Sequence, residues 1–261
     1  MEEIFNRIKF VGEQSKVNKL LETIKCDNDD LGSIDFKKIM PIPESLQIEP
    51  IVPYHVAIPA YLKAIHPDIG DFGAKKVKES TFDDILEKYN KSCRGYKLQK
   101  DDIMNVNLDS KLQHKFIEIG RIYIYNLVRH GAVTPYDWCC NNWGTIQPKC
   151  FSRGKSKKIE DTIDFMTINN FPVEIVYQLS TMFPDVILQC AWTCAAPGFY
   201  TGKIDIQNEE IIASNMPEDD SLEAFEISAE VLGDNIEDYH LRFDEKRGIY
   251  VRTYPEQEEK Q

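Results

Sequence analysis

The sequence predicts an α+β fold, and two kinds of hydrophobic pattern lead to this prediction. Apolar and polar residues alternate in Ile4–Val11, Ile34–Ile39 and Thr162–Ile168, which is the period of a half-buried strand. In other segments the apolar residues recur every three or four positions, as on the buried face of a helix. The chain has 261 residues, of which 42% are hydrophobic and 28% charged, a composition typical of a globular protein with a sizeable core.

The N-terminal part of the chain is predicted to form a strand, a helix and a second strand. Gly12 ends the first strand, and Ser15 is expected to cap a short helix. The apolar residues of that helix have helical spacing: Val17, Leu20, Leu21 and Ile24. The second strand, Ile34–Ile39, runs into Met40–Pro43, where two prolines exclude a helix and impose an extended backbone.

A helical insertion is predicted at about residues 50–130. Its first helices are expected at Ile58–Ile65 and Thr81–Tyr89, and a polar loop is expected over Lys91–Asn107. The strongest helix then covers Ser110–His130, with Gly131 as its C-cap. Its predicted buried face consists of Leu112, Phe116, Ile119, Ile122, Tyr123, Leu127 and Val128.

The second half of the chain is predicted to return to strands. Thr162–Ile168 is followed by a helix that starts near Pro172 and by an apolar strand over Val186–Cys194. Strand, helix, strand, a long excursion, strand, helix, strand is the order of a ferredoxin-like βαββαβ core.

The C-terminal region is predicted to add β structure to this core. Hairpins are expected at Phe199–Ile212 and Tyr239–Tyr254, with a polar linker and one more helix or strand between them. The predicted organisation is a core with the helical insertion over residues 1–212 and an acidic, β-rich C-terminal extension over residues 213–261.

Three segments of the chain carry a resemblance to a known family. Ile34–Glu44 reads IDFKKIMPIPE, Tyr136–Thr145 reads YDWCCNNWGT, and Phe165–Pro184 contains the pairs Phe171-Pro172 and Phe183-Pro184. Their sequences and order resemble those of the Api92-like (YubB) ferredoxin-like family, over most of residues 1–212. The family's Lys-Trp-Asp after the second block is replaced here by Ile146–Pro148, and the Trp of its third block is replaced near Asn169.

The resemblance implies a fold and a setting, and it implies no activity. Members of the family are typically found on phages, plasmids and other mobile elements. The term ferredoxin-like refers to the fold and implies no iron–sulfur cluster, so no cofactor is expected.

The charge and the cysteines of the chain restrict its compartment and its partners. A formal net charge of -12 disfavours general nucleic-acid binding, because phosphate affinity depends on clustered Lys and Arg. The acidic start at Met1–Glu3 does not resemble a signal peptide, and seven cysteines without one indicate reduced thiols. We therefore expect a cytoplasmic protein without a membrane span.

The most concentrated candidate for a recognition surface is an aromatic block around two tryptophans. Tryptophan is favoured at interface hot spots, and a glycine would let the chain present the rings. The predicted binding residues of this block are Trp138, Asn142, Trp143, Gly144 and Thr145. The alternative is structural, with both rings packed on the sheet and Asn142 capping a turn.

A second candidate surface is the acidic C-terminal third. Its predicted binding residues are Glu218, Asp219, Asp220 and Glu223. Such a surface either keeps the protein soluble or docks on a basic groove, such as the nucleic-acid channel of a nuclease.

Two further readings remain open at this stage. In the first, the open face of the sheet and a basic loop containing Arg153, Lys155, Lys157 and Lys158 hold a single-stranded nucleic acid, with Trp138 or Trp143 stacking on bases. In the second, Cys139 or Cys140 serves as the nucleophile of a hydrolase, with His130 as the base.

The sequence favours a non-enzymatic binding protein over these alternatives. Its most specific form is an inhibitor of a nucleic-acid-targeting host system that acts by protein–protein contact or DNA mimicry. No catalytic or metal-binding residue is predicted, because the cysteine spacings do not form a zinc site.

Overall fold

A computed structural model describes residues 2–27, 32–47, 53–66, 68, 75–92, 97–106, 113–146, 149–150 and 161–253. The chain divides into two compact units. The first unit comprises residues 1–41 and 143–261, and the second comprises residues 42–142. The second unit is thus inserted into the sequence of the first.

The described residues form eight strands and nine α-helices. The strands are β1 (Glu3–Val11), β2 (Lys149–Cys150), β3 (Thr162–Ile168), β4 (Ile187–Cys194), β5 (Gly202–Gln207), β6 (Glu210–Asn215), β7 (Leu241–Asp244) and β8 (Ile249–Arg252). The helices are α1 (Gln14–Ile24), α2 (Phe36–Ile39), α3 (Tyr54–Ile65), α4 (Glu79–Ser92), α5 (Lys100–Met104), α6 (Gln113–His130), α7 (Pro135–Asn142), α8 (Val173–Met182) and α9 (Leu222–Leu232).

The first unit is built on one antiparallel sheet whose strand order differs from the order of the strands in the sequence. Its six described strands have the order β2-β3-β1-β4-β5-β6, and each neighbouring pair is antiparallel. Strands β7 and β8 form a separate hairpin. The protein is therefore a mixed α and β structure, as the hydrophobic patterns predicted.

The two faces of this sheet have different roles. On one face, β1 contributes the buried Ile4, Ile8 and Phe10, and Phe165 of β3 packs against Phe36 of α2. Helix α9 packs on the other face, where Ile227 and Val231 contact Ala191 of β4. The central strands therefore carry apolar residues on both faces of the sheet. For this reason seven of the eight residues of β4 are buried or half-buried.

The prediction of a second strand is wrong. Ile34–Ile39 is not a strand, because Phe36–Ile39 forms the short helix α2, in which the carboxylate of Asp35 accepts a hydrogen bond from Lys37 N at 2.9 Å. Phe36 and Ile39 are buried one helical turn apart, so a short apolar–polar alternation suited a turn of helix as well as a strand. The strand beside β3 comes instead from Lys149–Cys150, after the inserted unit.

Most of the other element predictions are confirmed, with two differences. The strands predicted over Ile4–Val11, Thr162–Ile168 and Val186–Cys194 correspond to β1, β3 and β4, and both C-terminal hairpins are present. Ser15 lies within α1, whose N-cap is Glu13. The polar loop predicted after α4 contains α5, which a capping box of Gln99 and Asp102 begins.

The boundary predicted at residue 212 falls within β6, so the described sheet continues to Asn215. The one element left open as a helix or strand is the helix α9, which Ser221 caps by accepting a hydrogen bond from Ala224 N. Glycine at position 233, with φ +66°, ends this helix in the left-handed conformation that glycine adopts without strain.

In the second unit, α3 and α6 form the core. Ala57, Ile58 and Leu62 of α3 pack in one cluster with Tyr123 and Leu127 of α6. The prediction that Ile122 and Val128 of α6 are buried is wrong, because both side chains are exposed. The face of α6 that contacts α3 is centred on Ile117, Gly120 and Ile124. Gly131 has φ +67° and donates from its N to Leu127 O, which confirms the predicted C-cap.

Gly120→Ala should destabilise the protein by about 2 kcal/mol, because an added methyl group overpacks the contact between α3 and α6. A Cβ at this position would lie 2.1 Å from Ala57 O and 2.7 Å from Tyr61 Cβ, so the two backbones must separate. In an open helix position the same substitution stabilises by about 1 kcal/mol. Denaturant unfolding followed by circular dichroism gives the sign, with Glu118→Ala on the exposed side of α6 as the control. Equal or greater stability of Gly120→Ala would contradict the close approach.

Candidate interaction surface

The aromatic block predicted to bind a partner is divided between the two units. Trp138 and Asn142 belong to α7 in the second unit, and Trp143, Gly144 and Thr145 belong to the first. Both tryptophans are buried, and Asn142 donates from Nδ2 to Trp138 O one turn earlier. The block therefore does not present its rings to a partner, and the structural alternative describes it better.

Trp143 holds together the two points at which the chain leaves and re-enters the first unit. Its side chain is 1% exposed, and its Nε1 donates to Met40 O at 3.1 Å. Its ring meets the ring of Phe36 edge to face, with centroids 5.7 Å apart. Because Met40 lies just before the inserted unit and Trp143 just after it, this contact closes the first unit across the insertion.

Gly144 and Thr145 extend this closure to the end of β3. Thr145 Oγ1 donates to Ile168 O at 3.0 Å and accepts from Ile168 N at 2.9 Å. Asn170 Nδ2 donates to Gly144 O at 3.0 Å, and Gly144 has φ +73°, which favours glycine. The three segments that resemble family blocks therefore meet at one place, around Phe36, Trp143 and Phe165, where they support the fold.

The predicted acidic residues lie in the connection between β6 and α9, and three of the four are exposed. Asp219 Oδ1 accepts from Tyr200 N at 3.0 Å, and Glu223 Oε1 accepts from Asn215 Nδ2 at 2.7 Å. Asp220, with φ +59°, donates from its N to Gly198 O, and its carbonyl accepts from Tyr250 N. These bonds attach the connection to the residues before β5 and to the end of β6, and they hold the exposed carboxylates of Asp219 and Glu223 in place.

Four large apolar side chains are exposed at the same place. The exposed fractions are 41% for Phe199, 42% for Tyr200, 58% for Met216 and 40% for Leu222. The segments that carry them are adjacent, because Tyr200 N donates to Asp219 Oδ1 and Met216 lies over the start of β5, where its Sδ would be 2.7 Å from a Cβ added to Gly202. The Tyr200 hydroxyl accepts from Phe171 N at 3.4 Å. We use the name hairpin-end surface for seven residues: Phe199, Tyr200, Met216, Glu218, Asp219, Leu222 and Glu223.

Sequence reasoning missed the apolar half of the hairpin-end surface. Phe199, Tyr200, Met216 and Leu222 are scattered single apolar residues in the sequence, and such residues are common on any surface. The available signal was their position beside the turn residues Pro197-Gly198 and Pro217, which exclude regular structure there. Only the pairing of β5 with β6 brings the two ends of that hairpin together.

The exposed side of α9 continues the negative charge. Glu223, Glu226 and Glu230 follow one another at spacings of three and four residues, so they form one stripe along the helix. Glu230 forms an ion pair with Lys203, with 2.5 Å between Oε2 and Nζ. Glu226 has no ion-pair partner among the described residues, so the stripe keeps a net negative charge.

The open part of the sheet beside α9 is a groove of about 520 Å³ whose cations are largely neutralised. Arg7 donates from Nε and NH2 to the two oxygens of Asp164 at 2.8 and 3.1 Å, and from NH1 to the carbonyl of Glu230. Lys203 is paired with Glu230, which leaves Lys9 as the cation of this groove without such a partner in the described part of the chain. Asp161 and Asp205 also line the groove, so it does not favour a phosphate chain.

The basic residues predicted for nucleic-acid binding, Arg153, Lys155, Lys157 and Lys158, lie outside the described residues. The single-strand reading also required an exposed tryptophan, and Trp138 and Trp143 are both buried. Neither the open sheet face nor the tryptophans therefore favour the hypothesis that the protein binds a single-stranded nucleic acid.

Four of the cysteines with described side chains are buried: Cys139, Cys140, Cys190 and Cys194. Cys139 and Cys140 are buried in α7, and His130 Nε2 lies 3.0 Å from Ser45 Oγ. Burial raises the pKa of the thiols of Cys190 and Cys194, so both remain protonated where a nucleophile would need the thiolate. Cys93 lies outside the described residues.

The described part of the chain shows neither a metal site nor a membrane-spanning helix. No group of three or more His, Cys, Asp or Glu side chains in the described ranges has an arrangement that would hold a metal ion. No helix in that part of the chain has both the length and the apolar character needed to cross a membrane.

Comparison with known proteins gives one distant structural similarity. No family model and no curated protein matches the sequence. A solved structure, the protein api92 from Yersinia pseudotuberculosis (family-model DUF1281), is similar over 83% of this chain and 98% of its own, with 10% sequence identity and a TM-score of 0.36.

Proposed function

We propose that this protein acts without catalysis, by binding another protein through the hairpin-end surface. The observation that carries the proposal is the group of four exposed apolar side chains beside three exposed carboxylates, two of which, Asp219 and Glu223, are held by hydrogen bonds. Contiguous exposed apolar residues with a polar rim are typical of protein interaction sites. Tyrosine, phenylalanine and methionine are also enriched in the centres of interfaces.

The charges at this surface define the chemistry of the partner. Glu218, Asp219 and Glu223 lie in the same connection as the apolar Met216 and Leu222. Glu226, which has no ion-pair partner among the described residues, lies on the next turn of α9. A partner that places apolar side chains between Lys or Arg residues would match both features. The net charge of -12 would also accelerate the approach of such a basic partner.

A nucleic-acid-targeting host protein has this chemistry, and its inhibition is the specific role we propose. A basic groove that holds DNA or RNA would accept the carboxylates of α9 in place of phosphates. The resemblance to mobile-element proteins supports this role, since such elements benefit from inhibiting host defence. The reduced thiols of Cys190 and Cys194 are in keeping with a cytoplasmic site of action.

We also propose that the first unit contains a ferredoxin-like core. The order β2-β3-β1-β4, with every pair antiparallel, supports it, as do α1 after β1 and α8 between β3 and β4. In this description β5, β6 and α9 are additions to the core, and the hairpin-end surface belongs to the additions.

Met216→Lys/Leu222→Lys should weaken partner binding at least tenfold, or by about 1.4 kcal/mol, because two apolar contacts are replaced by charges. The tagged full-length chain captures its partner from nuclease-treated bacterial lysate, and the affinity of the purified partner is then measured by titration calorimetry. The matched control is Ile122→Lys/Val128→Lys, which makes the same change on the exposed side of α6.

The control variant should retain the partner, and Glu218→Lys/Glu226→Lys should lower the association rate most at low salt. The proposal is wrong if the Met216/Leu222 variant binds as tightly as the unmodified protein. It is also wrong if nucleic acid alone is captured.

A further inference from the structure

Strand β6 leaves one edge of the sheet open in the described part of the chain. It is the last strand in the order β2-β3-β1-β4-β5-β6, and Glu210–Ser214 are all exposed. Its outward N–H and C=O groups have no neighbouring strand there. An edge of this kind can accept an added strand from another molecule.

The sequence of β6 makes it a favourable edge for such an addition. It reads EIIASN, with no proline and no lysine, the residues that most often protect an exposed edge. Ile211 and Ile212 are 49% and 51% exposed, which is high for adjacent β-branched residues. The register shift between Asp205 and Ile206 leaves Ile212 without a partner in β5.

Carboxylates lie at both ends of this edge. Glu210 begins the strand directly after the turn residue Glu209, and Glu223 is bonded to Asn215 at its end. The edge thus has an apolar centre between two negative ends, and its second end adjoins the hairpin-end surface.

We infer that β6 binds an extended segment of the partner protein as a seventh strand of the sheet. The segment has apolar residues at its centre and Lys or Arg at both ends. This inference rests on the proposed function, which it deepens by naming the conformation and the charge pattern of the bound segment.

The charges favour a basic partner over a second copy of this chain. Antiparallel pairing of two β6 strands about a two-fold axis would place Glu210 of each copy opposite Asn215 of the other. Glu209 and Glu210 would then approach Glu223 of the other copy, which is bonded to that asparagine. Like charges opposite each other on paired strands are destabilising.

Peptide selection on the full-length protein tests the inference. A displayed library of random peptides about nine residues long, the length of an ordinary strand, is the probe. Selected peptides should have basic ends and an apolar centre, and should lose at least tenfold in affinity for Ile211→Lys/Ile212→Lys. The matched control is Phe243→Lys on the exposed hairpin β7–β8, which should bind them normally.

Methylation of single peptide nitrogens then distinguishes strand addition from ordinary surface contact. In an added strand only alternate N–H groups face β6, so affinity should fall at least tenfold at every second position and change little between them. Peptides that tolerate methylation at every position, or that bind the β6 variant normally, overturn the inference. A dimer that is lost in the β6 variant overturns it as well, because the occupant would then be a second copy.

These outcomes are distinct from failure of the proposed function. If the peptides fail the methylation test while Met216→Lys/Leu222→Lys still abolishes partner capture, the hairpin-end surface binds the partner without strand addition. If the peptides show the alternating pattern while that variant captures its partner normally, the edge binds peptides but the proposed surface is wrong.

Discussion

Trp143→Ala should reduce the free energy of unfolding by about 3–5 kcal/mol, the range for removing a fully buried large aromatic side chain. The ring is 1% exposed and packs edge to face on Phe36, and its N–H is bonded to Met40 O. The substitution leaves a cavity and an unbonded carbonyl at the point where the first unit closes across residues 42–142. Denaturant unfolding followed by far-ultraviolet circular dichroism, which reports on the backbone, measures the loss of unfolding free energy.

Two controls separate the parts of this effect. Trp143→Phe keeps most of the ring and loses the hydrogen bond, so it should cost clearly less than the alanine variant. Tyr136→Ala removes an aromatic side chain that is 51% exposed from the same block and should cost clearly less than Trp143→Ala. If Trp143→Ala were as stable as the unmodified protein and lost its partner, the residue would have a binding role and the structural description would be wrong.

Asn6→Asp should destabilise the protein by about 3 kcal/mol or more at neutral pH, because it places a carboxylate among oxygen atoms in the core. Asn6 is 1% exposed, and its Nδ2 lies within 3.2 Å of Ile4 O, Phe165 O and Thr167 Oγ1. Its Oδ1 has no hydrogen-bond partner among the described residues, so no donor is at hand for a negative charge. Denaturant unfolding at several pH values measures the effect.

The pH dependence gives this prediction a definite sign. Burial raises the folded-state pKa of the introduced carboxyl above its unfolded value of about 4, so the folded state holds the proton more tightly. The stability of the variant should therefore fall as pH rises from about 4, by about 1.4 kcal/mol per pH unit, until the folded-state pKa is reached. Asn6→Leu, an apolar control of similar size, should show no such dependence, since Thr167 Oγ1 keeps its bond to Asn170 O. A flat pH profile for Asn6→Asp would contradict the burial of this side chain.

Regular elements with long hydrophobic patterns were predictable from the sequence. Strands β1 and β3 alternate over seven or more residues, β4 is a largely apolar strand of eight residues, and α3, α4 and α6 extend over three turns or more. In segments of that length the burial of one face outweighs local preferences, so pattern and structure agree. The shorter Ile34–Ile39 failed because a single Asp35 cap was enough to favour one turn of helix.

The predicted site residues show the same difference between features that depend on the local sequence and features that depend on distant contacts. The Trp143-Gly144-Thr145 run was singled out because of its composition, and composition does not distinguish a ring that packs inside from one that binds outside. Its partners, Met40 and Ile168, lie far away in the sequence or in a different element. The acidic residues Glu218, Asp219 and Glu223 were found correctly as an exposed group, because charged side chains are rarely buried.

The sequence by itself determined the class of fold, the order of its longest elements, the negative charge and the acidic connection before α9. Each of these depends on residues that are neighbours in the chain. Only the tertiary structure decided that Lys149–Cys150 supplies the strand beside β3, that Trp143 closes the first unit, and that Phe199, Tyr200, Met216 and Leu222 are exposed together. These features depend on backbone pairing between distant segments, whose choice reflects the burial of the whole core and leaves no local pattern in the sequence.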